Sequence, residues 1–293
     1  MGRVVVVGSL NIDRPWRVAR HPGVGETVAG EQRALLPGGK GLNQAVAAAR
    51  LGAQVALVGC VGADDHGAWL ADVAALDGID TAMISVATDV TTGTALIVVD
   101  ADGRNTVTVD AGANACLEVG PLGLGPGDVV VAQLEIPADA VAEAFAQARR
   151  AGALAVLNPS PLGAGPSLVD LADVLVVNEH EAAALVGVAV EVVTADPLAV
   201  ARSLATREQT VVVTLGASGV AAVSRSGEHQ LAGRSVPVLD TTGAGDCFLG
   251  VLAAGLASAC ELGEALDRAN RAAAIAVTRE GTVPAMPFAH DLG

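Results

Sequence analysis

Residues 239–249, which read LDTTGAGDCFL, combine small residues with one acid immediately before an Ala-rich stretch of helical length. Gly243, Ala244 and Gly245 let the backbone turn sharply and leave N–H groups free at the start of that helix, where the helix dipole attracts an anion. Asp246 could then take a proton from an attacking hydroxyl while the amides hold a transferring phosphoryl group. The alternative is that Asp246 only stabilises the helix N-terminus.

A second glycine turn, PGGKGLNQ at residues 37–44, also leads into an amphipathic helix. Lys40 and Asn43 stand about one turn apart, so both side chains can face one ligand. The alternative for this pair is an ordinary solvated helix start.

Neither of the common nucleotide-binding motifs is present. A Walker A loop needs a glycine five residues before its Gly-Lys pair and a Ser or Thr after it, but this chain has Ala34 and Gly41 there. A dinucleotide fingerprint would continue with further glycines after Gly8, where the sequence reads SLN. A hydride-transferring enzyme is therefore disfavoured.

Polar residues also follow two predicted strands. Asn11 and Asp13 lie two residues apart, hence on one side of an extended segment, and can bind the hydroxyls of a polyol. Glu135 ends the run VVVAQLE just before Pro137, and its alternative role is a charge at a helix N-terminus. In open α/β sheets, ligands bind beyond the carboxyl ends of the strands, where these residues fall.

The elements that must position these residues alternate along the chain. Short Val-rich runs alternate with Ala-rich segments, which predicts a mostly parallel sheet covered by helices. The predicted strands are 3–8, 54–61, 128–134, 153–157, 174–177 and 210–215. The predicted helices are 40–51, 66–75, 138–151, 179–185, 197–206, 244–259 and 262–279.

Two segments, at about 13–37 and 84–110, interrupt the alternation with short β-like pieces and turns. We predict that they form a small β-sheet lid over one edge of a single domain spanning 1–293. A pair of ordinary surface hairpins is the alternative.

Bulk composition limits the partners. The formal net charge of -15 would repel nucleic acid and anionic membrane surfaces, and no apolar stretch reaches the roughly 20 residues that span a bilayer. The four cysteines form no CxxC pair, and the first residues lack a secretion-signal pattern. We therefore expect a cytoplasmic protein with reduced cysteines and no nucleic-acid or membrane partner.

Taken together, VVVVGSLNID, GGKGLNQAVAAARLGA, LDTTGAGDCF and AAAIAVTREGTVPAMP resemble the ribokinase (pfkB) carbohydrate-kinase family, and most of all its ribokinase members. The resemblance covers nearly the whole chain. It implies a ribokinase-like three-layer α/β/α sandwich with a mainly parallel central sheet and a lid. It also implies an ATP-dependent sugar kinase that uses Mg²⁺ and K⁺ and pairs as a homodimer through the lid.

The resemblance assigns a role to each matching residue. Asp246 would be the catalytic base, beside an anion hole formed by Gly243, Ala244 and Gly245. The implied sugar ligands are Asn11, Asp13, Gly39, Lys40, Asn43, Glu135 and Asp246. The implied nucleotide contacts are Asn178, Thr214, Gly216, Ala217, Gly219, Gly245 and Asn270.

The metal ligands follow from the same resemblance. Glu181 would help to hold Mg²⁺ through water. The K⁺ site would comprise Asp240, Thr242, Ala276, Arg279, Gly281 and Ala285. This chain departs from the family pattern twice, because Asn270 stands where relatives close to ribokinase often carry His, and Ala285 where the family usually supplies a Ser hydroxyl.

Charge helps to select the substrate. Asp13 and Glu135 would oppose a sugar phosphate by about 1 to 4 kcal/mol per close pair, so a neutral sugar fits better. We expect D-ribose to be converted to ribose 5-phosphate. The alternatives are another sugar, a nucleoside, for which only Trp16 offers an aromatic shelf in the lid segments, or a non-catalytic sugar- or nucleotide-binding protein.

Overall fold

The computed structural model describes residues 2–163, 166–206 and 208–293. Its strands are β1 (Val4–Val7), β2 (Asn11–Val18), β3 (Gly30–Gln32), β4 (Leu36–Gly38), β5 (Val55–Gly62), β6 (Asp80–Ala87), β7 (Gly93–Val99), β8 (Asn105–Asp110), β9 (Val129–Ala132), β10 (Leu154–Leu157), β11 (Val174–Asn178), β12 (Thr210–Thr214), β13 (Gly219–Ser224) and β14 (Gly227–Ala232). Its α-helices are α1 (Lys40–Arg50), α2 (Asp65–Leu76), α3 (Ala138–Ala151), α4 (Glu179–Val186), α5 (Val190–Ala195), α6 (Pro197–Leu204), α7 (Ala244–Ala257) and α8 (Leu262–Ala276). None of the described helices is both long and apolar enough to cross a bilayer.

A nine-stranded sheet forms the centre of the molecule, in the order β14-β13-β12-β11-β10-β9-β1-β5-β6. The strands from β12 to β6 are parallel, and β13 and β14 are added antiparallel at one edge. The inner strands are continuous runs of Val, Ala and Leu because helices cover both faces. In β1, Val4 and Val6 join the core beneath α1, α7 and α8, whereas Val5 and Val7 join the core beneath α3 and α4. The predicted three-layer α/β/α arrangement is thereby confirmed.

A smaller sheet has the strand order β3-β2-β7-β8, and β4 also pairs with β2. A separate small sheet was predicted, but its boundaries differ from the predicted ones. The lid strands begin at Asn11 rather than at residue 13, and the second segment contributes only from Gly93 onward. Residues 84–87 instead complete β6, which pairs with β5 in the large sheet. This strand alternates exposed and half-buried residues at a sheet edge, so it lacks the apolar run that revealed the inner strands.

The β13–β14 hairpin and the short helix α5 were not predicted. The hairpin follows Gly219, whose φ of 104° suits glycine, and its second strand GEHQLA is mostly polar. The edge strand β14 carries little hydrophobic signal because one of its faces is solvated. The strand β13 is mostly buried, but its apolar run is only four residues long, Val220 to Val223, and so gave no clear strand pattern.

Helices α1 and α7 pack unusually closely where Gly250 faces α1. A methyl group at Gly250 would lie 2.3 Å from the Gln44 carbonyl oxygen and 2.7 Å from the Ala47 Cβ. Real carbon atoms do not approach that closely, so any side chain at Gly250 would push the two helices apart. The absence of a side chain therefore sets the separation of the N-terminal halves of α1 and α7.

We predict that Gly250→Ala lowers the free energy of unfolding by about 1 to 3 kcal/mol, because overpacking outweighs the helix propensity of alanine. Urea unfolding followed by circular dichroism measures the change. Gly125→Ala is the control, since no described atom lies within 4 Å of the added methyl, and we expect a change within about 0.5 kcal/mol. A more stable Gly250→Ala protein would show that propensity dominates and that the close packing is not a constraint.

Candidate active site

Helix α7 begins with backbone N–H groups beside open space. The Ala244 N–H, which was predicted to join the anion hole, donates to the Thr241 carbonyl at 3.3 Å, so the N–H groups of Gly245 and Asp246 are the ones left without a partner among the described residues. Gly243 precedes α7 with a φ of 74°, and no side chain of the described residues caps the helix. A methyl placed at Gly245 would meet no described atom within 4 Å. Uncapped N–H groups at the positive end of a helix dipole, with room in front of them, form a site suited to an anion.

Asp246 lies in the first turn of α7 and is only 7% exposed. Its Oδ2 accepts a hydrogen bond from Asn43 Nδ2 at 3.0 Å, and its Oδ1 accepts one from Gln44 Nε2 at 2.9 Å. Gln133 Nε2 in turn donates to Gln44 Oε1. The carboxylate is thus held in one orientation by α1, and each oxygen keeps a lone pair for a further partner.

Gln44 and Gln133 were missed by the sequence reasoning. Both side chains are essentially inaccessible to water, at 1% and 0% exposure. The sequence did carry a signal, because each glutamine stands within an otherwise apolar run, GLNQAVA or VVVAQLE. A polar side chain buried in such a run needs a hydrogen-bonding partner, which points to a polar cluster.

The carboxyl ends of β1 and β9 bring Ser9, Glu135 and Lys40 together. Ser9 Oγ donates to Glu135 Oε2, and the backbone N–H of Lys40 donates to the same oxygen at 3.2 Å. Burial tends to lower the pKa of Lys40, but the negative charges of Asp246, Glu135 and Glu181 raise it overall. The ammonium of Lys40 therefore stays charged within a group of acids.

Asn11 is held by a residue that the sequence did not single out. Asn114 Nδ2 donates to Asn11 Oδ1 at 2.7 Å and to the Leu10 carbonyl at 3.1 Å, and Asn114 Oδ1 accepts from the Leu10 N–H at 2.9 Å. Asn114 is buried in a short 3₁₀ helix, Gly112–Cys116, that follows the lid strand β8. The lid segment thereby fixes the turn between β1 and β2.

Asp13 is buried on β2, at 6% exposure. Burial, followed by repulsion from Glu135 and Asp246, raises the pKa of this carboxyl from 3.8 to about 7. A methyl at Gly38 would lie within 2.4 Å of all three atoms of the Asp13 carboxyl group, so any side chain at position 38 would displace that carboxyl. Gly39, with a φ of 90°, similarly lets the chain pass close to the Asn11 N–H and the Ser9 carbonyl.

A cavity of about 330 Å³ opens beside this cluster. Asn11, Asn114 and Glu135 supply its polar wall. The rest of its lining is formed by Val109, Ala111, Ala115, Leu134, Ile136, Pro137 and Pro161.

The residues predicted to contact a nucleotide lie further along the same edge of the sheet. Asn178 ends β11 and caps α4, with its Oδ1 accepting from the His180 and Glu181 N–H groups at 2.9 and 2.8 Å. The Glu181 carboxylate accepts from the Asn178 N–H at 3.0 Å, which completes a capping box. The structure thus gives Asn178 and Glu181 a structural role in addition to any contact with a ligand.

The remaining predicted nucleotide residues surround the loop between β12 and β13. Thr214 ends β12, while Gly216 and Ala217 lie in a short 3₁₀ helix, Gly216–Ser218, that leads into Gly219. Asn270 on α8 donates from Nδ2 to the Ala232 carbonyl at 2.9 Å. The amide of Asn270 therefore also anchors the end of β14.

The predicted K⁺ residues gather around the loop before α7. Asp240 Oδ1 accepts from the Thr242 N–H at 2.9 Å and from its hydroxyl at 2.6 Å, and Asp240 Oδ2 accepts from the Gly281 N–H at 3.0 Å. The segments that carry Ala276 and Arg279 lie alongside, because the Leu239 N–H donates to the Val277 carbonyl at 2.8 Å. Ala285 is buried and offers only its backbone carbonyl.

These groups differ in their capacity to hold metal ions. The Asp240 loop offers a carboxylate and backbone carbonyls, which are hard oxygen donors. Among the described residues there is no group of three or more His, Cys, Asp or Glu side chains that could hold a metal ion. A Mg²⁺ ion near Glu181 would therefore be held mainly by phosphate oxygens and water, as is usual for this ion.

Comparison with known proteins identifies the family to which this chain belongs. The model of the pfkB family carbohydrate kinases matches residues 1–289. A ribokinase of Haemophilus influenzae is 36% identical over 295 residues, which cover 97% of this chain and 95% of the relative.

Solved structures show the same architecture. A ribokinase of Cryptococcus neoformans in complex with ADP is similar with a TM-score of 0.88 and 30% identity, covering 100% of this chain and 99% of the other. An Arabidopsis thaliana ribokinase complexed with ribose and ATP gives a TM-score of 0.86 at 28% identity, covering 100% and 98%. The fold is therefore ribokinase-like, and the chain belongs to the pfkB family of carbohydrate kinases.

Proposed function

We propose that this protein transfers the γ-phosphoryl group of ATP to the hydroxymethyl oxygen of a small free sugar, D-ribose, to give ribose 5-phosphate. The observation that carries the proposal is the Asp246 carboxylate. It is fixed by Asn43 and Gln44 at the uncapped N-terminus of α7.

In the proposed reaction, Asp246 accepts the proton of the sugar hydroxyl as its oxygen forms a bond to the γ-phosphorus. The bond from that phosphorus to the β-phosphate oxygen breaks, and ADP leaves with the electron pair. The N–H groups that open α7 stabilise the charge on the transferring group. Because both carboxylate oxygens are already oriented by amides, little reorganisation is needed when the hydroxyl arrives.

The proposed sugar ligands are Asn11, Asp13, Gly39, Lys40, Asn43 and Glu135. An unusual feature supports the role of Asn43: its Oδ1 is buried and has no hydrogen-bond partner among the described residues. A buried acceptor without a donor costs stability unless a ligand satisfies it. A sugar hydroxyl would supply that donor.

On the nucleotide side, we propose that Asn178, Thr214, Gly216, Ala217, Gly219, Gly245 and Asn270 bind ATP. Mg²⁺, placed near Glu181, would neutralise charge on the phosphates. K⁺, held by the loop of Asp240 and Gly281, would stabilise the segment that leads into α7. The bond from the Gly281 N–H to Asp240 supports this second site because it already joins the two segments.

The proposal also covers assembly and location. The edge strand β8 is exposed along its whole length and carries Val107 and Val109 at 52% and 47% exposure. An exposed apolar edge strand favours pairing with another chain, and we propose a homodimer through the lid of this one-domain protein.

The four free cysteines agree with a reducing, cytoplasmic location.

A second candidate substrate is a nucleoside. The cavity of about 330 Å³ beside Asn11 and Glu135 has a mainly apolar lining that could take a base. A phosphorylated sugar is disfavoured, since the negative charges of Asp246, Glu135 and Glu181 act on the single ammonium of Lys40.

We predict that D-ribose has the highest kcat/KM when free pentoses, hexoses, sugar phosphates and nucleosides are compared in a coupled ATPase assay with Mg²⁺. Phosphorus NMR should assign the product as a 5-phosphate. The rate should be higher in potassium than in sodium buffer. Faster turnover of a nucleoside or a sugar phosphate would overturn the substrate assignment.

Asp246→Asn should lower kcat by about 10²- to 10⁴-fold, since general-base catalysis contributes that much, while an ATP analogue still binds in calorimetry. Asp65→Asn is the matched control, because Asp65 is an exposed acid in the first turn of α2. The kcat of that variant should equal the kcat of the unsubstituted protein. If Asp246→Asn lost stability but kept normal turnover, Asp246 would be only a helix-terminal charge.

The Asp13 carboxyl should make the ligand-free protein less stable as pH rises from about 4 to about 7. Its folded-state pKa of about 7 lies above the unfolded value of 3.8, so between these two values the folded protein holds a proton that the unfolded chain has released, and this stabilising difference is lost as pH rises through about 7. Asp13→Asn should therefore raise the free energy of unfolding at pH 8 by on the order of 2 kcal/mol, with the difference vanishing near pH 4. Urea unfolding at each pH measures this, and Asp89→Asn, at an exposed position, is the control. An equal effect of Asp13→Asn at both pH values would contradict the assignment.

A further inference from the structure

Thr282 lies where three segments of the proposed site meet. Its side chain is buried at 3% exposure, and its Oγ1 donates to the Pro37 carbonyl at 2.9 Å. Its methyl group packs on the turn before α7, since a Cβ at Gly243 would lie 3.2 Å from Thr282 Cγ2. One small side chain thus contacts both the start of α7 and a lid strand.

The backbone around Thr282 is fixed to the large sheet and its helices. The preceding Gly281 N–H donates to Asp240 Oδ2 at 3.0 Å. On the other side, Arg50 of α1 donates from Nη1 to the carbonyls of Val283 and Met286 at 2.8 and 2.9 Å. Arg50 is itself held by Asp77 through two hydrogen bonds. These hydrogen bonds fix the backbone on both sides of Thr282, and so they fix the position from which its hydroxyl bonds to the lid strand β4.

Pro37 lies at the centre of β4, the short strand that pairs with β2. The register places Pro37 opposite Ile12, between the pairs Asn11 with Gly38 and Asp13 with Leu36. Among the described strands, β4 pairs with β2 and no other. Whatever holds Pro37 therefore also holds the two β2 residues proposed to bind the sugar.

We propose that Thr282 is a positioning residue whose hydroxyl ties the lid strands β4 and β2 to the N-terminus of α7. The residue acts through Pro37 and Gly243 and contacts no substrate itself. This inference rests on the proposed function and extends it, because it names the link that keeps the sugar ligands in register with the phosphoryl site. Without the hydroxyl, the Pro37 carbonyl loses its hydrogen-bond donor. The carbonyl can then find a new donor only in water, which favours movement of β4 away from Thr282.

Kinetics of three variants test the proposal. Thr282→Val keeps the shape but removes the hydroxyl, and we expect the KM for ribose to rise about 5- to 150-fold, the range that loss of a buried hydrogen bond gives. The KM for ATP and kcat at saturating ribose should stay within about threefold, because bound sugar restores the closed lid. Thr282→Ser should restore the ribose KM. Thr278→Val is the matched control, because that hydroxyl bonds only within its own helix end, to the Ile275 carbonyl at 2.7 Å.

An unchanged ribose KM in Thr282→Val would overturn the proposal. So would a fall in kcat without a change in KM, or a Thr282→Ser protein that behaves like Thr282→Val. Each of these results would show that the hydroxyl does not set the position of the lid.

Amide hydrogen exchange of the ligand-free protein gives a readout that does not depend on activity. Thr282→Val should speed exchange in residues 11–18 and 36–38, while β9 exchanges as in the unsubstituted protein and Thr282→Ser protects the lid normally. Faster exchange in β9 as well would indicate a loss of overall stability and would refute the positioning role. If the protein phosphorylated none of the sugars, the proposed function would fail, yet exchange would still decide whether Thr282 holds the lid.

Discussion

The close contact between α1 and α7 is the constraint on which the site depends. Gly250 lets α7 approach the Gln44 carbonyl and Ala47, and one turn earlier the same approach brings Asp246 within hydrogen-bonding distance of Asn43 and Gln44. A helix separation set by larger side chains would leave this carboxylate without its two amide donors. The core packing of Ala, Gly and Val thus controls the geometry of a polar cluster several residues away.

Charge shapes the rest of the site. Burial and the charges of Glu135 and Asp246 raise the pKa of Asp13 to about 7, and the charges of Asp246, Glu135 and Glu181 raise the pKa of Lys40, which keeps its ammonium charged. Such a cluster disfavours an anionic ligand but offers several acceptors to neutral hydroxyl groups. The backbone N–H groups at the start of α7 are instead suited to an anion, and they carry no net charge that must be buried.

Two buried side chains, Asn114 and Thr282, join the small sheet to the rest of the molecule. Asn114 holds the turn from β1 into β2, and Thr282 holds the middle of β4. Asn114 makes three hydrogen bonds, to the Asn11 side chain and to both backbone groups of Leu10, whereas Thr282 makes one, to the Pro37 carbonyl. These bonds fix the position of β2 and β4 relative to the large sheet.

Much of the fold could be predicted from the chain itself. Runs such as VVVV at residues 4–7 predict buried strands, and the Ala-rich segments predict covering helices, because the two patterns have different periods. The glycine turns at Lys40 and Asp246 predict helix starts that suit a ligand. The polar edge strand β14 escaped prediction because it carries no continuous apolar run, and residues 84–87 of the half-solvated edge strand β6 were wrongly predicted to belong to the lid.

The partners of each site residue were decided only by tertiary structure. Gln44 and Asp246 are separated by 202 positions, and Pro37 and Thr282 by 245, so no local pattern could reveal that they share hydrogen bonds. The sequence alone determined which residue types could do chemistry and at which helix starts they lie. Their distances, burial and electrostatic coupling arose when packing brought distant segments together, because those quantities depend on separation in space rather than along the chain.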